Sequence, residues 1–80
     1  MTEDIRKIVK DHAKLGVDAA TLAEDADLYA AGMSSHASVN VMLALEGRFD
    51  VEFPDRMLKR AVFESIAAIR AALTELGAKP

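Results

Sequence analysis

The residues of this chain that could take part in chemistry are concentrated in one short segment, Met33 to Val39, which contains two adjacent serines followed by a histidine. The two histidines of the chain, His12 and His36, belong to no His-Glu-x-x-His or similar metal-ligand pattern, and no glycine-rich phosphate loop precedes a lysine and a serine. A serine beside a histidine does not by itself make a nucleophile, because activation requires a base that is aimed at the hydroxyl and oriented by a third group. The sequence therefore predicts no catalytic residue and no metal site.

Composition limits the classes of protein that remain. Eighty residues are enough for one small domain, so we expect a single domain over 1–80 with a loose Lys79-Pro80 tail. The chain has no cysteine, and its net charge of −3 argues against a nucleic-acid partner, which needs a basic face. No stretch resembles a signal peptide or a membrane span. We expect a cytoplasmic, soluble monomer without nucleic-acid or membrane partners.

The first segment has the pattern of an amphipathic helix. Thr2 is a candidate N-cap, and Gly16 is a candidate C-terminal stop. Between them, apolar side chains and one histidine recur at helical spacing: Ile5, Ile8, Val9, His12 and Leu15. On this pattern we interpret His12 as a packed or partly exposed structural histidine, because a lone imidazole lacks partner ligands.

A long connection and a second helix follow. Periodicity fades between Val17 and Ser34, where Leu22, Leu28, Tyr29 and Met33 are apolar anchors of a loop that is long for so small a domain. The second helix is predicted to begin at Ser34 or Ser35 and to end near Phe49. Its predicted buried stripe is Val39, Met42, Leu43, Leu45 and Phe49.

The last third of the chain predicts one short and one longer helix. Pro54 stops any continuation of the second helix, so residues 55–60 can form only a short helix or a turn. The final helix is predicted to start near Ser65 and to end before Gly77, with Ile66, Ile69, Leu73 and Leu76 on its inner face. No run is typical of a strand. The predicted fold is all-α, a small bundle of three main helices and one short helix.

Taken alone, the serine pair is typical of an ordinary helix start, with Ser34 as N-cap. In its wider context, the segment from Leu28 to Phe53 resembles the acyl and peptidyl carrier proteins. Their pattern is an apolar pair, a glycine, any residue, Asp-Ser-Leu and then a helix, and here Leu28-Tyr29 matches the pair and Gly32 the glycine. Ser35 matches the serine that carries 4′-phosphopantetheine in that family.

The resemblance continues beyond the serine. It includes Val39, the run from Val41 to Glu46, Phe49-Asp50, the segment from Glu52 to Asp55, and the run from Phe63 to Ile66. Two positions depart from the pattern, because Ser34 replaces the usual aspartate and His36 the usual leucine. The resemblance implies an acyl-carrier-protein-like fold, a covalent 4′-phosphopantetheine on Ser35, and modification by a phosphopantetheinyl transferase.

The neighbourhood of the serine pair looks most like that of the stand-alone bacterial aminoacyl carrier proteins. That resemblance implies loading with an amino acid or short acyl group by an amino acid:carrier protein ligase similar to class II seryl-tRNA synthetases, and delivery to a downstream acyl acceptor enzyme. The implied partner contacts are Ser34, His36, Val39, Asn40 and Leu43. A carrier for fatty-acid or polyketide synthesis, and an unmodified helical interaction module, remain as alternatives.

Overall fold

The structure is a computed structural model that describes residues 1–79, and it contains four α-helices with no strand among those residues. The helices are α1 (Thr2–His12), α2 (Ser35–Phe49), α3 (Arg60–Phe63) and α4 (Ile66–Glu75). Two short 3₁₀ turns, Ala19–Thr21 and Asp55–Met57, lie in the connections. Within residues 1–79, no helix is both long enough and apolar enough to cross a membrane. The predicted all-α class is confirmed.

Serine side chains cap the N-termini of α2 and α4, and both helices begin where the sequence predicted. Ser34 is the N-cap of α2, and its hydroxyl oxygen accepts a hydrogen bond from the Ala37 backbone N–H at 3.0 Å. Ser65 is the N-cap of α4 and accepts from the Ala68 N–H, also at 3.0 Å. Each serine satisfies one of the amide groups that the first turn of a helix leaves without an intrahelical partner.

The core lies between α1, α2 and α4, and the connections contribute a few further side chains. Its largest fully buried members are all aliphatic: Ile5, Val9, Leu28, Val41, Leu45, Ile66, Ile69 and Leu73. Phe53 and Phe63, the last residue of α3, also belong to the buried core, with ring centroids 5.2 Å apart. The predicted inner face of α4 is confirmed, with Leu76 only partly buried.

The buried face of α2 differs from the predicted stripe. The side chains that α2 buries recur every four residues: Ala37, Val41, Leu45 and Phe49. Val39 and Leu43 are 48% and 55% exposed, so their assignment to the core was wrong. Each lies two residues, or about 200°, from the nearest buried positions, which puts it on the opposite side of the helix.

The ends of α1 also differ from the prediction. Met1, rather than Thr2, is the N-cap, and the helix ends at His12 instead of continuing toward Gly16. Lys14 adopts the left-handed conformation after the helix, with φ of 54°, a region that favours glycine. His12 is exposed, and Ala13 occupies the buried position that the apolar pattern had suggested for the histidine.

The chain between α2 and α4 forms two short pieces rather than one. The segment after Pro54 makes a 3₁₀ turn, and α3 starts only at Arg60, the last residue of the segment in which a short helix or turn was predicted. Gly77 lies after α4 and has φ of 82°, the left-handed conformation that is common for a glycine after a helix end. Lys79 is exposed, and Pro80, the other residue of the predicted loose tail, lies outside the described residues.

Candidate functional site

Ser34 and Ser35 have different structural roles although they are neighbours. The Ser34 hydroxyl is occupied as the N-cap of α2. Ser35 is the first helical residue and its side chain is exposed, while its carbonyl oxygen accepts a hydrogen bond from the Ser38 hydroxyl at 2.7 Å. Capping therefore does not require the Ser35 hydroxyl, which is accessible from solvent.

The position of Ser35 is suited to an anionic group. A helix N-terminus has unpaired backbone N–H groups and the positive end of the helix dipole, which together favour negative charge. Ser34 satisfies only one of these amides. A phosphodiester on the Ser35 oxygen would therefore be stabilised by the helix that carries it, so these residues fit a phosphopantetheine group.

A groove of about 360 Å³ opens beside Ser35, between α2 and the segment that leads into α3. Residues from three parts of the chain line it: Tyr29, Ser35, Ser38, Val39, Met42, Leu58, Lys59, Arg60 and Phe63. Most of these side chains are apolar, and the Arg60 guanidinium carbon lies 4.0 Å from the centroid of the Tyr29 ring. The groove could accept a flexible, partly apolar chain attached at Ser35.

The turn before Ser35 is held against the end of α1. Gly32 has φ of 121°, and a Cβ atom there would lie 3.1 Å from the Gly16 nitrogen, a tighter contact than most Cβ atoms make. The Gly16 N–H donates to the Ala31 carbonyl at 3.1 Å. Gly32 therefore provides both the backbone conformation and the space that this approach requires.

The long loop is fixed at two further places. The Arg6 Nη1 atom donates to the carbonyl oxygens of Ala19 and Leu22, both at 2.7 Å. Near its middle, the Leu28 N–H donates to the Glu64 carbonyl at 2.7 Å, and Leu28 itself is fully buried. The loop that leads to the serine pair is thus anchored to both α1 and the start of α4, as its apolar residues suggested.

The residues predicted to contact partners lie along the first two and a half turns of α2 and the cap before it. Ser34, His36, Val39 and Leu43 are exposed, and Asn40 is partly buried. Val39 and Leu43 are four residues apart and therefore share one side of the helix. Of the five, only Val39 lines the groove together with Ser35.

Sequence reasoning did not identify the far wall of the groove. From the sequence, Leu58, Lys59 and Arg60 were assigned only to the short helix or turn of residues 55–60. Tyr29 was interpreted only as an apolar residue of the loop and as part of the apolar pair before Gly32. Leu58 is the sequence signal that could have indicated this wall, because it is an apolar residue in a charged segment. In the structure its side chain is 48% exposed. Glu46, the clearest acid on the body of α2, forms a hydrogen bond within the chain. Its Oε2 atom accepts from the Phe53 backbone N–H at 2.8 Å.

Comparison with known proteins gives one family and several close relatives. The family model for the phosphopantetheine attachment site matches residues 3–73. An aminoacyl carrier protein of Agrobacterium fabrum is 51% identical over 69 residues, which are 86% of this chain and 83% of that protein.

Solved structures agree with this comparison. A carrier protein from Agrobacterium tumefaciens, crystallised with an engineered Bradyrhizobium japonicum glycine:[carrier protein] ligase and AMP, superimposes with a TM-score of 0.90 at 47% identity. The match covers 92% of this chain and 99% of that one. A solution structure of an Agrobacterium tumefaciens protein, also 47% identical, gives 0.74 over 94% of this chain and 90% of its own. The bundle is thus that of a carrier protein, as the sequence resemblance implied.

Proposed function

This chain belongs to the phosphopantetheine attachment site family, and we propose that it carries an amino acid as a thioester on a 4′-phosphopantetheine arm attached to Ser35. It is a carrier, a substrate of other enzymes rather than a catalyst. The observation that supports Ser35 as the attachment point is its exposed hydroxyl at the start of α2, beside a groove and free of the capping role that Ser34 fills.

The cofactor supplies the chemistry that the chain lacks. The arm ends in a thiol, which this cysteine-free chain does not otherwise possess. The chain presents the Ser35 hydroxyl and stabilises the negative charge of the attached phosphodiester through the amides of α2. A phosphopantetheinyl transferase supplies the base and the metal for the transfer.

The relatives of this chain support an amino acid as the cargo. The 51% identical protein is an aminoacyl carrier protein, and the 47% identical one was crystallised with a glycine:[carrier protein] ligase. We therefore assign loading to an amino acid:carrier protein ligase that resembles class II seryl-tRNA synthetases, followed by delivery to a downstream acyl acceptor. Tethering raises the concentration of the cargo at each enzyme that the arm reaches.

The ligase is proposed to contact the exposed side of α2 around Ser34, His36, Val39, Asn40 and Leu43. Two large apolar side chains on one solvent-facing side of a helix are costly in isolation and favourable in an interface. A carrier that visits several enzymes is expected to use small interfaces and to work as a monomer in the cytoplasm, where its lack of cysteine suits a reducing compartment.

The attachment is tested by incubating the purified chain with coenzyme A and a phosphopantetheinyl transferase and measuring its intact mass. We expect one added phosphopantetheine group, none on Ser35→Ala, and full modification of Ser38→Ala. Ser38 is the matched control because its side chain lines the same groove from the same helix. Modification of Ser35→Ala would refute the residue assignment, and an unmodified wild-type chain beside a modified control carrier would favour a helical interaction module.

The cargo is tested by incubating the modified chain with ATP, the Bradyrhizobium japonicum ligase and glycine or alanine. We expect aminoacylation, and for Val39→Ser and Leu43→Ser a KM raised roughly five- to tenfold, which corresponds to a loss of about 1–1.4 kcal/mol of binding free energy for each interface residue. Val17→Ser is the matched control, because Val17 is 51% exposed but lies outside α2 and the groove. Loading with long acyl chains but not with amino acids would favour a fatty-acid or polyketide carrier.

A further inference from the structure

The groove beside Ser35 combines apolar walls with two positive charges. Val39 and Met42 of α2 form one wall, and Leu58 and Phe63 contribute to the other. Lys59 and Arg60 also line the groove, whereas no carboxylate is among its lining residues in the part of the chain that the structure describes. The groove therefore suits a neutral or negatively charged occupant that is partly apolar.

Neither Lys59 nor Arg60 forms an ion pair with an acidic residue in the described part of the chain. The ion pairs found within residues 1–79 join Arg48 to Asp4, Arg56 to Glu75 and Arg70 to Glu24, and none includes Lys59 or Arg60. The Arg60 guanidinium is held above the Tyr29 ring, also a lining residue. This contact places the charge of Arg60 at the groove.

We propose that Lys59 and Arg60 make this groove selective for the charge of the cargo, so that an arm with an uncharged end rests in the groove and an aminoacyl end is kept out of it. This inference rests on the proposed function. The free α-ammonium of an aminoacyl group is repelled by the two cations of the groove, whereas a thiol or a neutral acyl group carries no charge for them to repel and can pack against the apolar walls. The amino acid therefore stays in solvent, available to an acceptor enzyme.

The expected size of the effect follows from Coulomb's law. Two unit charges about 4 Å apart in water interact by about 1 kcal/mol, which corresponds to roughly a fivefold change in occupancy for each cation that the ammonium approaches. Salt at about 1 M shortens the screening length to about 3 Å and should remove most of this difference. The apolar contribution of the walls is retained at high salt.

The test is NMR of the chain labelled with ¹³C at its methionine methyl groups. A phosphopantetheinyl transferase attaches each arm at Ser35, and intact mass verifies the attachment. The unloaded arm comes from coenzyme A and ends in a neutral thiol, while the acylated arms come from amide-linked coenzyme A analogues, which do not hydrolyse. Three arms are compared at about pH 6, where an α-amino group is protonated: unloaded, glycyl and N-acetylglycyl. The Met42 methyl reports on the groove, while Met33, which is buried and does not line it, is the internal reference.

We expect the unloaded and N-acetylglycyl arms to shift the Met42 signal and the glycyl arm to shift it at least about fivefold less. Lys59→Gln/Arg60→Gln should let the glycyl arm shift it as much as the acetylated arm. Lys59→Gln alone, which keeps the contact between Arg60 and Tyr29, should give an intermediate shift. Lys7→Gln/Lys10→Gln on α1 removes the same charge from exposed positions outside the groove and should change nothing.

Equal shifts from the glycyl and N-acetylglycyl arms would overturn the inference while leaving the proposed function intact, because the mass would still show the arm. No Met42 shift from any arm, or no change in the glycyl shift in Lys59→Gln/Arg60→Gln, would overturn it in the same way. A chain that accepts no arm at all would instead overturn the proposed function, and this inference with it.

Discussion

Replacing Ser34 with alanine removes the oxygen that accepts the Ala37 N–H at 3.0 Å and leaves the exposed Ser35 hydroxyl in place. Loss of a serine N-cap typically costs about 1 kcal/mol. For a chain of this size, that corresponds to a fall in Tm of about 4–8 °C, or to a urea midpoint lower by up to about 1 M. We therefore expect Ser34→Ala to be measurably less stable and still to accept phosphopantetheine.

The assay is urea unfolding followed by far-ultraviolet circular dichroism, with three comparison variants. Ser34→Asp keeps an acceptor at the cap and should retain most of the stability. Ser65→Ala removes a cap of the same geometry from α4. Because Ser65 is only 8% exposed, we expect this variant to lose at least as much stability as Ser34→Ala. Ser35→Ala should be close to wild type.

Either of two results would show that Ser34 and Ser35 do not have separate roles. The first is a Ser34→Ala variant with an unchanged urea midpoint, which would mean that the hydroxyl does not cap α2. The second is a Ser35→Ala variant that loses as much stability as Ser34→Ala, which would mean that the attachment serine also holds the helix start.

Three further changes test the fold that positions the site. Gly32→Ala should cost about 1–3 kcal/mol of unfolding free energy because of its positive φ and close contact, whereas Gly16→Ala should be nearly neutral by the same urea assay. Arg6→Met removes two partly buried hydrogen bonds and should cost about 2 kcal/mol, with faster amide hydrogen exchange in the loop. Leu45→Ala should cost about 2–5 kcal/mol, and Leu43→Ala less than about 0.5 kcal/mol.

The starts of the two central helices could be predicted because their signals are local. A serine before an apolar helical pattern satisfies an amide three residues ahead, so both Ser34 and Ser65 could be located without knowledge of the rest of the fold. The match of Ser35 to the carrier pattern also depends on nearby residues, from Leu28 onward. Its accessibility and the groove beside it became visible only in three dimensions.

The buried face of α2 could not be predicted because apolar residues occur on more than one side of this helix. Val39, Val41, Leu43 and Leu45 alternate along the sequence, and helical spacing alone does not show which pair faces α1 and α4. Packing makes that choice, since Val41 and Leu45 are fully buried while the other two are exposed. The exposed pair was expected both in the core and at a partner surface, and only the first of these expectations is excluded.

The residue at which α1 ends could not be predicted, because it depends on contacts between residues that are distant in sequence. Glycine commonly ends helices, so Gly16 was a reasonable stop. In the structure, however, Gly16 donates its N–H to Ala31 and lies against Gly32, and the left-handed residue after the helix is Lys14. No local pattern shows that Gly16 contacts another turn instead of ending the helix.

The stacking of Arg60 on Tyr29 has a practical consequence for following this molecule in solution. Tyr29 is the single tyrosine of the chain and there is no tryptophan, so ultraviolet-excited emission at tyrosine wavelengths comes from one ring in one place. That ring is part of the groove wall next to Ser35. The intensity of the Tyr29 fluorescence in the unlabelled protein should therefore change when a molecule enters the groove or displaces the Arg60 guanidinium.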